Sequence, residues 1–168
     1  MTPLPGPLGG NTLVAWRLDQ AAHSATWDSG EGAYRVGGRW NSAGVRAVYC
    51  GIDPATTILE VAVHKGFGAL DTAPHTLTRI EILDPSDVHV VRPATIPIPN
   101  WLRPGTPGAG QQAFGDALLV RYKFIAIPSA VSIHSWNLIF VAPQAAGAYA
   151  VRSQERFALD TRLHPPVR

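Results

Sequence analysis

The sequence predicts a single domain of the α+β class in which strands dominate. This follows from the length of 168 residues, from the balance of 46% hydrophobic against 15% charged residues, and from short apolar segments interrupted by few helical patterns. A chain of this length is typical of one domain and can bury a real core. The composition is that of a globular protein, and no internal repeat or linker divides the chain.

The chain begins with a proline- and glycine-rich segment, residues 1–11, which we interpret as a flexible tail. This segment lacks the basic start and the apolar stretch of a signal peptide. Residues 13–18, LVAWRL, predict a first strand that is apolar except for Arg17. An arginine in such a strand needs an anion, a carboxylate or water at the sheet edge. Residues 19–36 are polar and predict a loop that could include a short helix.

The next stretch, residues 37–60, combines a turn, a strand and a capped helix in the sequence GGRWNSAGVRAVYCGIDPATTILE. Polar residues 41–44 predict the turn. The β-branched and aromatic residues 45–50 predict the strand. Asp53 can cap the following helix, and Pro54 lies in the first turn, where a helix tolerates proline best.

That helix carries an apolar stripe and a single charge. Helical spacing predicts that the stripe faces the core, and its members are Ile58, Leu59, Ala62 and Val63. Glu60 lies beside the stripe, and a carboxylate there is costly to bury without a partner. Spacing alone therefore favours a Glu60 side chain that faces water, and a paired, functional Glu60 is the alternative.

The remainder of the chain predicts further strands and one more helix. Glycines at 66 and 68 predict the end of the first helix. The further strands are predicted at residues 77–83, 88–91, 124–127 and 138–141 and near Phe157. The second helix covers residues 111–120, with Phe114, Ala117 and Leu118 at core spacing. The proline-rich residues 92–110 predict an irregular surface segment.

Composition and motifs exclude several classes of function. The net charge of +2, without runs of Lys or Arg, argues against nucleic-acid binding by this chain. No apolar segment is long enough to cross a bilayer. The single Cys50, best explained as a small buried strand residue, is typical of a reducing compartment, so we predict a cytoplasmic protein. The histidines do not fall at metal-ligand spacing, so no metal site is predicted, and P-loop and nucleophile-elbow motifs are missing.

The residues left as candidates for chemistry are Arg17, Arg39, Tyr49, Glu60 and a late serine cluster. Arginine suits a diphosphate because its planar fork donates paired hydrogen bonds and keeps its charge. A tyrosine ring suits a cationic aromatic ring. One carboxylate can stabilise a positively charged sugar carbon as a glycosidic bond breaks. These side chains permit, without requiring, an enzyme that splits a nicotinamide dinucleotide.

The segment GGRWNSAGVRAVYCGIDPATTILEVAVH resembles the hallmark segment of the RES-domain family, the toxins of bacterial RES–Xre type II toxin–antitoxin pairs. The resemblance extends along most of the chain and assigns residues 12–168 to a RES domain. The matching residues are, in order, Arg17 in LVAWRL, Arg39 in GGRWN, Tyr49 in AVYCG, Glu60 in TTILEVAVH, Ser129 in IPSAV and Asn137 in SWNLIFVAP.

The resemblance implies a fold similar to ADP-ribosyltransferase toxins, with a compact, mostly antiparallel β core and a few helices. It also implies that NAD⁺ is consumed as a substrate, with no separate cofactor. Arg17 and Arg39 would hold the pyrophosphate or ribose side of NAD⁺, and Tyr49 would stack on the nicotinamide. Glu60 would stabilise the oxocarbenium-like transition state or orient the attacking water, so that Glu60 and Arg39 are the predicted catalytic residues.

Two further residues are implied as NAD⁺ ligands. Ser129 would hydrogen-bond the nicotinamide or ribose, and Asn137 would contribute to the same site. Without the resemblance, Ser129 is equally well explained as a turn residue after Pro128, and Tyr49 as a core tyrosine.

The resemblance leaves the reaction open. A glycohydrolase would release nicotinamide and ADP-ribose, deplete NAD and arrest growth, whereas an ADP-ribosyltransferase would modify a protein acceptor. A third hypothesis is a non-catalytic module that binds an anion or nucleotide and does not need Glu60. The implied partner is an Xre-type helix-turn-helix antitoxin, with a possible homodimer inside the toxin–antitoxin complex.

Overall fold

Seven strands form one sheet in the structure, a computed structural model that describes residues 12–163. The sheet order is β4-β5-β6-β2-β1-β3-β7, and each neighbouring pair is antiparallel except β4 and β5. The α+β class with a mostly antiparallel core is therefore confirmed, while the predicted tail at residues 1–11 lies outside the described residues. The strands are β1 (Leu13–Gln20), β2 (Ala47–Gly51), β3 (His75–Ile82), β4 (Val88–Val90), β5 (Phe124–Pro128), β6 (Trp136–Val141) and β7 (Tyr149–Phe157).

The α-helices connect these strands and cover one side of the sheet. In the part of the chain that the structure describes, no helix combines the length and apolar composition needed to cross a membrane. Short 3₁₀ helices occur at Ala21–Thr26, Pro85–Asp87, Pro93–Thr95 and Thr161–Leu163. The α-helices are α1 (Glu31–Val36), α2 (Pro54–Lys65), α3 (Phe67–Thr72) and α4 (Ala109–Arg121).

One face of the sheet curls around an aromatic core. The ring of Tyr149, at the start of β7, lies 5.0 Å from the ring of Phe140 and 6.3 Å from that of Phe124. Because β7 and β5 are separated by four strands in the sheet order, this contact requires strong curvature. Trp27 packs edge-on against Tyr149 and Phe140 and closes this core.

The helices pack on the opposite face of the sheet. Leu18 of β1 packs with Ala62 of α2 and Leu70 of α3. Leu119 of α4 packs with isoleucines of β5 and β6, including Ile139. Strands β5 and β6 are consequently buried on both faces, which explains their nearly continuous apolar sequences.

Several local predictions need correction. The polar stretch 19–36, predicted as a loop that could include a short helix, contains both a 3₁₀ helix and α1. Gly66 ends α2 as predicted, with a φ of 78°, but α3 begins at the next residue. The strand predicted near Phe157 extends back to Tyr149.

The predicted core faces of the two long helices are also partly wrong. Leu59 and Val63 of α2 are 37% and 60% exposed, and Ala117 of α4 is exposed. The buried side of α2 instead includes Thr56 and Thr57. Their hydroxyl groups hydrogen-bond inside the fold, so these polar residues occupy core positions that a count of apolar residues assigns elsewhere.

A close contact between α2 and the sheet sets the position of the helix. The Thr57 hydroxyl lies 3.1 Å from the carbonyl oxygen of Trp16 in β1. A Cβ atom on Gly51, the last residue of β2, would lie only 2.5 Å from the same hydroxyl. The glycine therefore lets α2 settle directly on β1 and β2, and Glu60 follows Thr57 by one helical turn.

Candidate active site

Glu60 is fixed by two polar side chains that come from distant parts of the chain. The Ser129 hydroxyl and the Asn137 side-chain amide both donate to Glu60 Oε1, each at 2.7 Å. The prediction from spacing alone, that Glu60 faces water without a partner, is wrong. The paired alternative holds, because β6 and the end of β5 supply two donors to a half-buried carboxylate.

Ser129 is fully buried and uses all of its hydrogen-bonding capacity within the protein. Its hydroxyl donates to Glu60 and accepts from the backbone N–H groups of Val131 and Ser132 at 3.2 and 2.9 Å. A serine hydroxyl has one donor and two acceptor lone pairs, so none remains for a ligand. In this structure Ser129 is placed to orient Glu60, and Asn137, which is 7% exposed, occupies a similar position.

The second carboxylate oxygen of Glu60 is free of such contacts. Within residues 12–163, no donor forms a hydrogen bond to Oε2. Ser129 and Asn137 both donate to Oε1 instead. A carboxylate held through one oxygen presents the other in a defined direction. This is the arrangement that a stabilising or proton-accepting carboxylate requires.

A loop bearing Arg39 is held by Tyr49, which lies on the same sheet face as Asn137. The Tyr49 hydroxyl donates to Asn41 Oδ1 at 2.7 Å and accepts from the Trp40 N–H at 3.0 Å. A Cβ atom on Gly38 would lie 2.7 Å from the same hydroxyl, so glycine is required for this close approach. Tyr49 therefore hydrogen-bonds the two residues after Arg39 and packs closely against Gly38 before it.

The guanidinium of Arg39 is half-buried and makes no ion pair within the described residues. Its Nη1 donates to the carbonyl oxygens of Trp101 and Arg103 at 2.9 and 3.3 Å. These neutral acceptors orient the group without neutralising it, so the remaining N–H groups can donate to an anion.

The charges of Arg39 and Glu60 both act on the Tyr49 phenol. Burial, the largest cause, raises the pKa of Tyr49, and the carboxylates of Asp116 and Glu60 raise it further. The hydrogen bond from Trp40 and the charge of Arg39 oppose this effect. Burial therefore keeps Tyr49 a neutral aromatic group.

Arg17 is not part of this cluster. Its Nε and Nη2 atoms donate to the two carboxylate oxygens of Asp19 at 2.7 and 2.9 Å, and Nη1 donates to the Tyr49 carbonyl oxygen at 2.9 Å. Arg17 lies on the same sheet face as Cys50, and the charges of Arg17 and Asp19 act on the pKa of the Cys50 thiol. The side chain of Tyr49 lies on the other face of the sheet. The structure supplies the carboxylate that the sequence required for this arginine.

The loop that carries Ser129 is tied to the start of α2 by a hydroxyl network that the sequence did not predict. Asp53 accepts from the Thr56 N–H at 2.7 Å, which confirms the predicted cap. Its other oxygen accepts from the hydroxyls of Thr56 and Ser135 at 2.7 and 2.8 Å. Burial opposes ionisation of Asp53, but these hydrogen bonds outweigh it and hold the pKa below the ordinary value of 3.8.

We expect the substitution Asp53→Asn to reduce the loss of stability in acid. Because the folded-state pKa is lowered, the ionised carboxylate stabilises the fold above the ordinary value of 3.8, and this contribution is lost as the pH falls through the folded-state pKa. Urea unfolding at about pH 6 and about pH 3 measures the effect. The free energy of unfolding should fall more in the wild type than in Asp53→Asn, which retains a capping side chain. An equal fall in both proteins would contradict this.

The Cys50 thiol and the metal-ligating residue types do not add to the candidate site. Burial raises the pKa of the Cys50 thiol to about 12, in agreement with the prediction of a small buried strand residue. Among residues 12–163, three or more His, Cys, Asp or Glu side chains nowhere gather in a group that could hold a metal ion.

Sequence reasoning missed Asn41 as a site residue. This asparagine is fully buried, and its amide donates to the carbonyl oxygens of Ala33, Ser42 and Val45 while its own oxygen accepts from Tyr49. The sequence feature that could have indicated this role is the position of Asn41 inside the GGRWN motif, where the pattern predicts only a turn.

The fold and the cluster together define a class of protein: an α+β domain with a curved, mostly antiparallel sheet and a helix-borne glutamate fixed by the sheet. One solved structure with this fold is the MbcT–MbcA toxin–antitoxin complex of M. tuberculosis. The aligned chain is 23% identical with a TM-score of 0.69, and the alignment covers 87% of this chain and 84% of that chain. The similarity confirms the fold expected from the resemblance.

Residues 14–160 match the family model described as the RES domain. A protein named Prs ADP-ribosylating toxin, from Sphingobium sp. (strain YBL2), is 31% identical over 160 residues, covering 90% of this chain and 97% of the relative. Toxin Res from Pseudomonas putida (strain KT2440) is 32% identical over 158 residues, covering 90% and 99%. The chain therefore belongs to the RES-domain family, which confirms the resemblance drawn from its motifs.

Proposed function

We propose that this chain is the toxin of a bacterial toxin–antitoxin pair and that it hydrolyses NAD⁺ to nicotinamide and ADP-ribose, so that cellular NAD is depleted and growth stops. The observation that carries the proposal is the Glu60 carboxylate, held through Oε1 by Ser129 and Asn137 with Oε2 free. The half-buried Arg39, which makes no ion pair with any residue from 12 to 163, supplies the matching cation. The names of the relatives, a toxin in each case, add independent support.

The reaction breaks the bond between the nicotinamide nitrogen and ribose C1′. The electron pair of that bond passes to the ring nitrogen, so that nicotinamide leaves as a neutral molecule and positive charge develops on the ribose. Glu60 Oε2 stabilises this charge, either directly or through a ribose hydroxyl. Water then bonds to C1′ and releases a proton, which gives ADP-ribose.

Each side chain that matches a family motif has a role in this scheme. Arg39 binds the pyrophosphate, and the Tyr49 ring packs against the nicotinamide while its hydroxyl holds the Arg39 loop. Ser129 and Asn137 act through Glu60 by fixing its carboxylate. Arg17 acts as a positioning residue that holds the Tyr49 carbonyl, because direct binding to NAD⁺ would require its ion pair with Asp19 to open.

A second candidate is transfer of ADP-ribose to a protein acceptor. The relative named Prs ADP-ribosylating toxin favours this alternative. The same charged ribose would form, and a nucleophile of the acceptor would replace water at C1′.

The proposed partner is an antitoxin, because a solved structure with the same fold is a toxin–antitoxin complex. Its Xre helix-turn-helix type is what the resemblance to the family implies. The exposed Leu59 and Val63, on the same helix as Glu60, offer an apolar surface next to the candidate site.

We further propose that the protein acts in the cytoplasm, where NAD⁺ is available, and that it uses NAD⁺ as a substrate without another cofactor. A homodimer within the complex is part of the same proposal.

The test is an assay of NAD⁺ loss by purified, antitoxin-free protein, with nicotinamide and ADP-ribose both quantified. Equal amounts of the two products are expected. Nicotinamide release without free ADP-ribose would replace hydrolysis by transfer, and the label should then be found on protein. No NAD⁺ loss by a folded sample would overturn both reactions and leave a binding module.

A further inference from the structure

The proline-rich segment 92–110 and the first turn of α4 enclose a cleft of about 440 Å³. This volume lies in the range of small-molecule sites. The lining combines apolar surface from Ile98, Pro104 and Pro107 with the polar groups of Arg103 and Gln111. None of the residues that hold Glu60 lines this cleft, so the cleft is separate from the carboxylate cluster.

Gln111 is the most distinctive group of the cleft because it is 4% exposed and only partly satisfied. Its Nε2 donates to the Trp101 carbonyl oxygen at 3.3 Å. Its Oε1 accepts no hydrogen bond from the described residues. Because a carbonyl oxygen cannot donate to another carbonyl, the contact with Trp101 keeps Nε2 on that side and leaves Oε1 as an oriented acceptor.

The cleft is joined to the candidate active site through shared carbonyl groups. The Trp101 carbonyl oxygen accepts from both Gln111 and Arg39, and the Arg103 carbonyl oxygen accepts from Arg39 as well. Arg39 precedes Trp40, whose N–H donates to the Tyr49 hydroxyl. Tyr49 lies on the same sheet face as Asn137, which donates to Glu60. Among the described residues, the groups therefore follow in the order Gln111 Oε1 in the cleft, the Arg39 guanidinium, and Glu60 Oε2.

This order of groups matches the order of groups along a dinucleotide. An apolar cleft with a fixed amide suits a purine, since the glutamine side chain pairs with the exocyclic amine and ring nitrogen of adenine. An arginine without an ion pair suits the diphosphate. The carboxylate suits the ribose at the reacting end.

We propose that the cleft of residues 98–111 is the adenosine subsite for NAD⁺ and that Gln111 Oε1 selects adenine by accepting a hydrogen bond from its exocyclic amine. This inference rests on the proposed function and names the part of the site that distinguishes the base. A hypoxanthine base carries a carbonyl oxygen in place of the amine, so its oxygen would face Gln111 Oε1 without a hydrogen bond. The amide cannot turn to compensate without losing its contact with Trp101.

The first experiment compares kcat/KM for NAD⁺, for nicotinamide hypoxanthine dinucleotide and for nicotinamide mononucleotide, which lacks the adenosine half. The wild type should prefer NAD⁺ over the hypoxanthine analogue by about tenfold, as expected for one hydrogen bond with a buried acceptor. Gln111→Leu should lose this preference through a higher KM for NAD⁺, and its kcat/KM should fall more for NAD⁺ than for the mononucleotide. The matched control Gln144→Leu alters an exposed glutamine outside the cleft and should retain the preference.

A second measurement needs neither turnover nor a variant. Calorimetry with the wild type should show adenosine monophosphate binding about tenfold more tightly than inosine monophosphate. Preferential binding of the adenosine nucleotide without NAD⁺ turnover would overturn the proposed function and keep the subsite. Turnover of NAD⁺ with equal use of the hypoxanthine analogue, or equal binding of the two monophosphates, would overturn the subsite and keep the function.

Discussion

Replacing Glu60 by Gln should lower kcat for NAD⁺ cleavage by about 10²–10³-fold while the fold is retained. The amide oxygen of the new side chain can accept the same hydrogen bonds from Ser129 and Asn137 that Oε1 accepts now. The substitution therefore replaces the free, negatively charged oxygen by a neutral NH₂ group and keeps the contacts made by Oε1. The loss should appear in kcat, because the charge on the ribose develops only in the transition state.

The control for this experiment is Glu155→Gln, which removes the charge of an exposed carboxylate on β7. Its kcat and thermal midpoint should match those of the wild type. Circular dichroism and thermal unfolding of Glu60→Gln establish that the variant is folded. A folded Glu60→Gln protein with undiminished NAD⁺ turnover would be incompatible with the proposed mechanism and would favour a binding module that does not need the carboxylate.

The carboxylate cluster is the part of the candidate site that the motifs predicted best. Ser129 and Asn137 follow Glu60 by 69 and 77 residues along the chain, and the structure brings both within hydrogen-bonding distance of it. Residue order alone gives no distances, so the prediction needed the resemblance. What it missed was the direction of the contacts: both donors hold Glu60 and are themselves buried.

The position of Arg17 could have been predicted from strand geometry. Arg17 and Asp19 are two residues apart on one strand, and such residues share a sheet face. An arginine with a carboxylate at that spacing can pair locally, so the requirement for an anion was already met within LVAWRL.

The contacts of the proline-rich segment could not have been predicted in the same way. Arg39 reaches the carbonyl groups of Trp101 and Arg103 across 62 and 64 residues. These contacts are made by backbone atoms, which carry no side-chain signal, and the segment has neither a helical nor a strand period. Only the overall course of residues 92–110 as an irregular segment was predictable.

The substitution with the largest expected effect on stability is Gly115→Ala in the middle of α4. A Cβ atom there would lie 1.9 Å from the carbonyl oxygen of Trp40, a fully buried residue. Neither partner can move alone, because the obstacle is backbone and the helix packs on β5 and β6 through Leu119. We expect the free energy of unfolding to fall by about 3 kcal/mol. For a chain of this size the thermal midpoint would then fall by about 6–12 °C.

Gly110→Ala in the same helix is the matched control, because a Cβ atom at that position meets nothing within 4 Å. Alanine restricts the unfolded chain more than glycine does, so this variant should be more stable than the wild type by about 0.4–1 kcal/mol. Urea unfolding of both variants separates the effect of helix propensity from that of the contact. Since Trp40 follows Arg39 directly, a displaced α4 would also move the loop that carries the candidate cation. Gly115→Ala should therefore lose NAD⁺ cleavage at temperatures where it is still folded, and a variant with wild-type stability and turnover would show that α4 does not set the position of this loop.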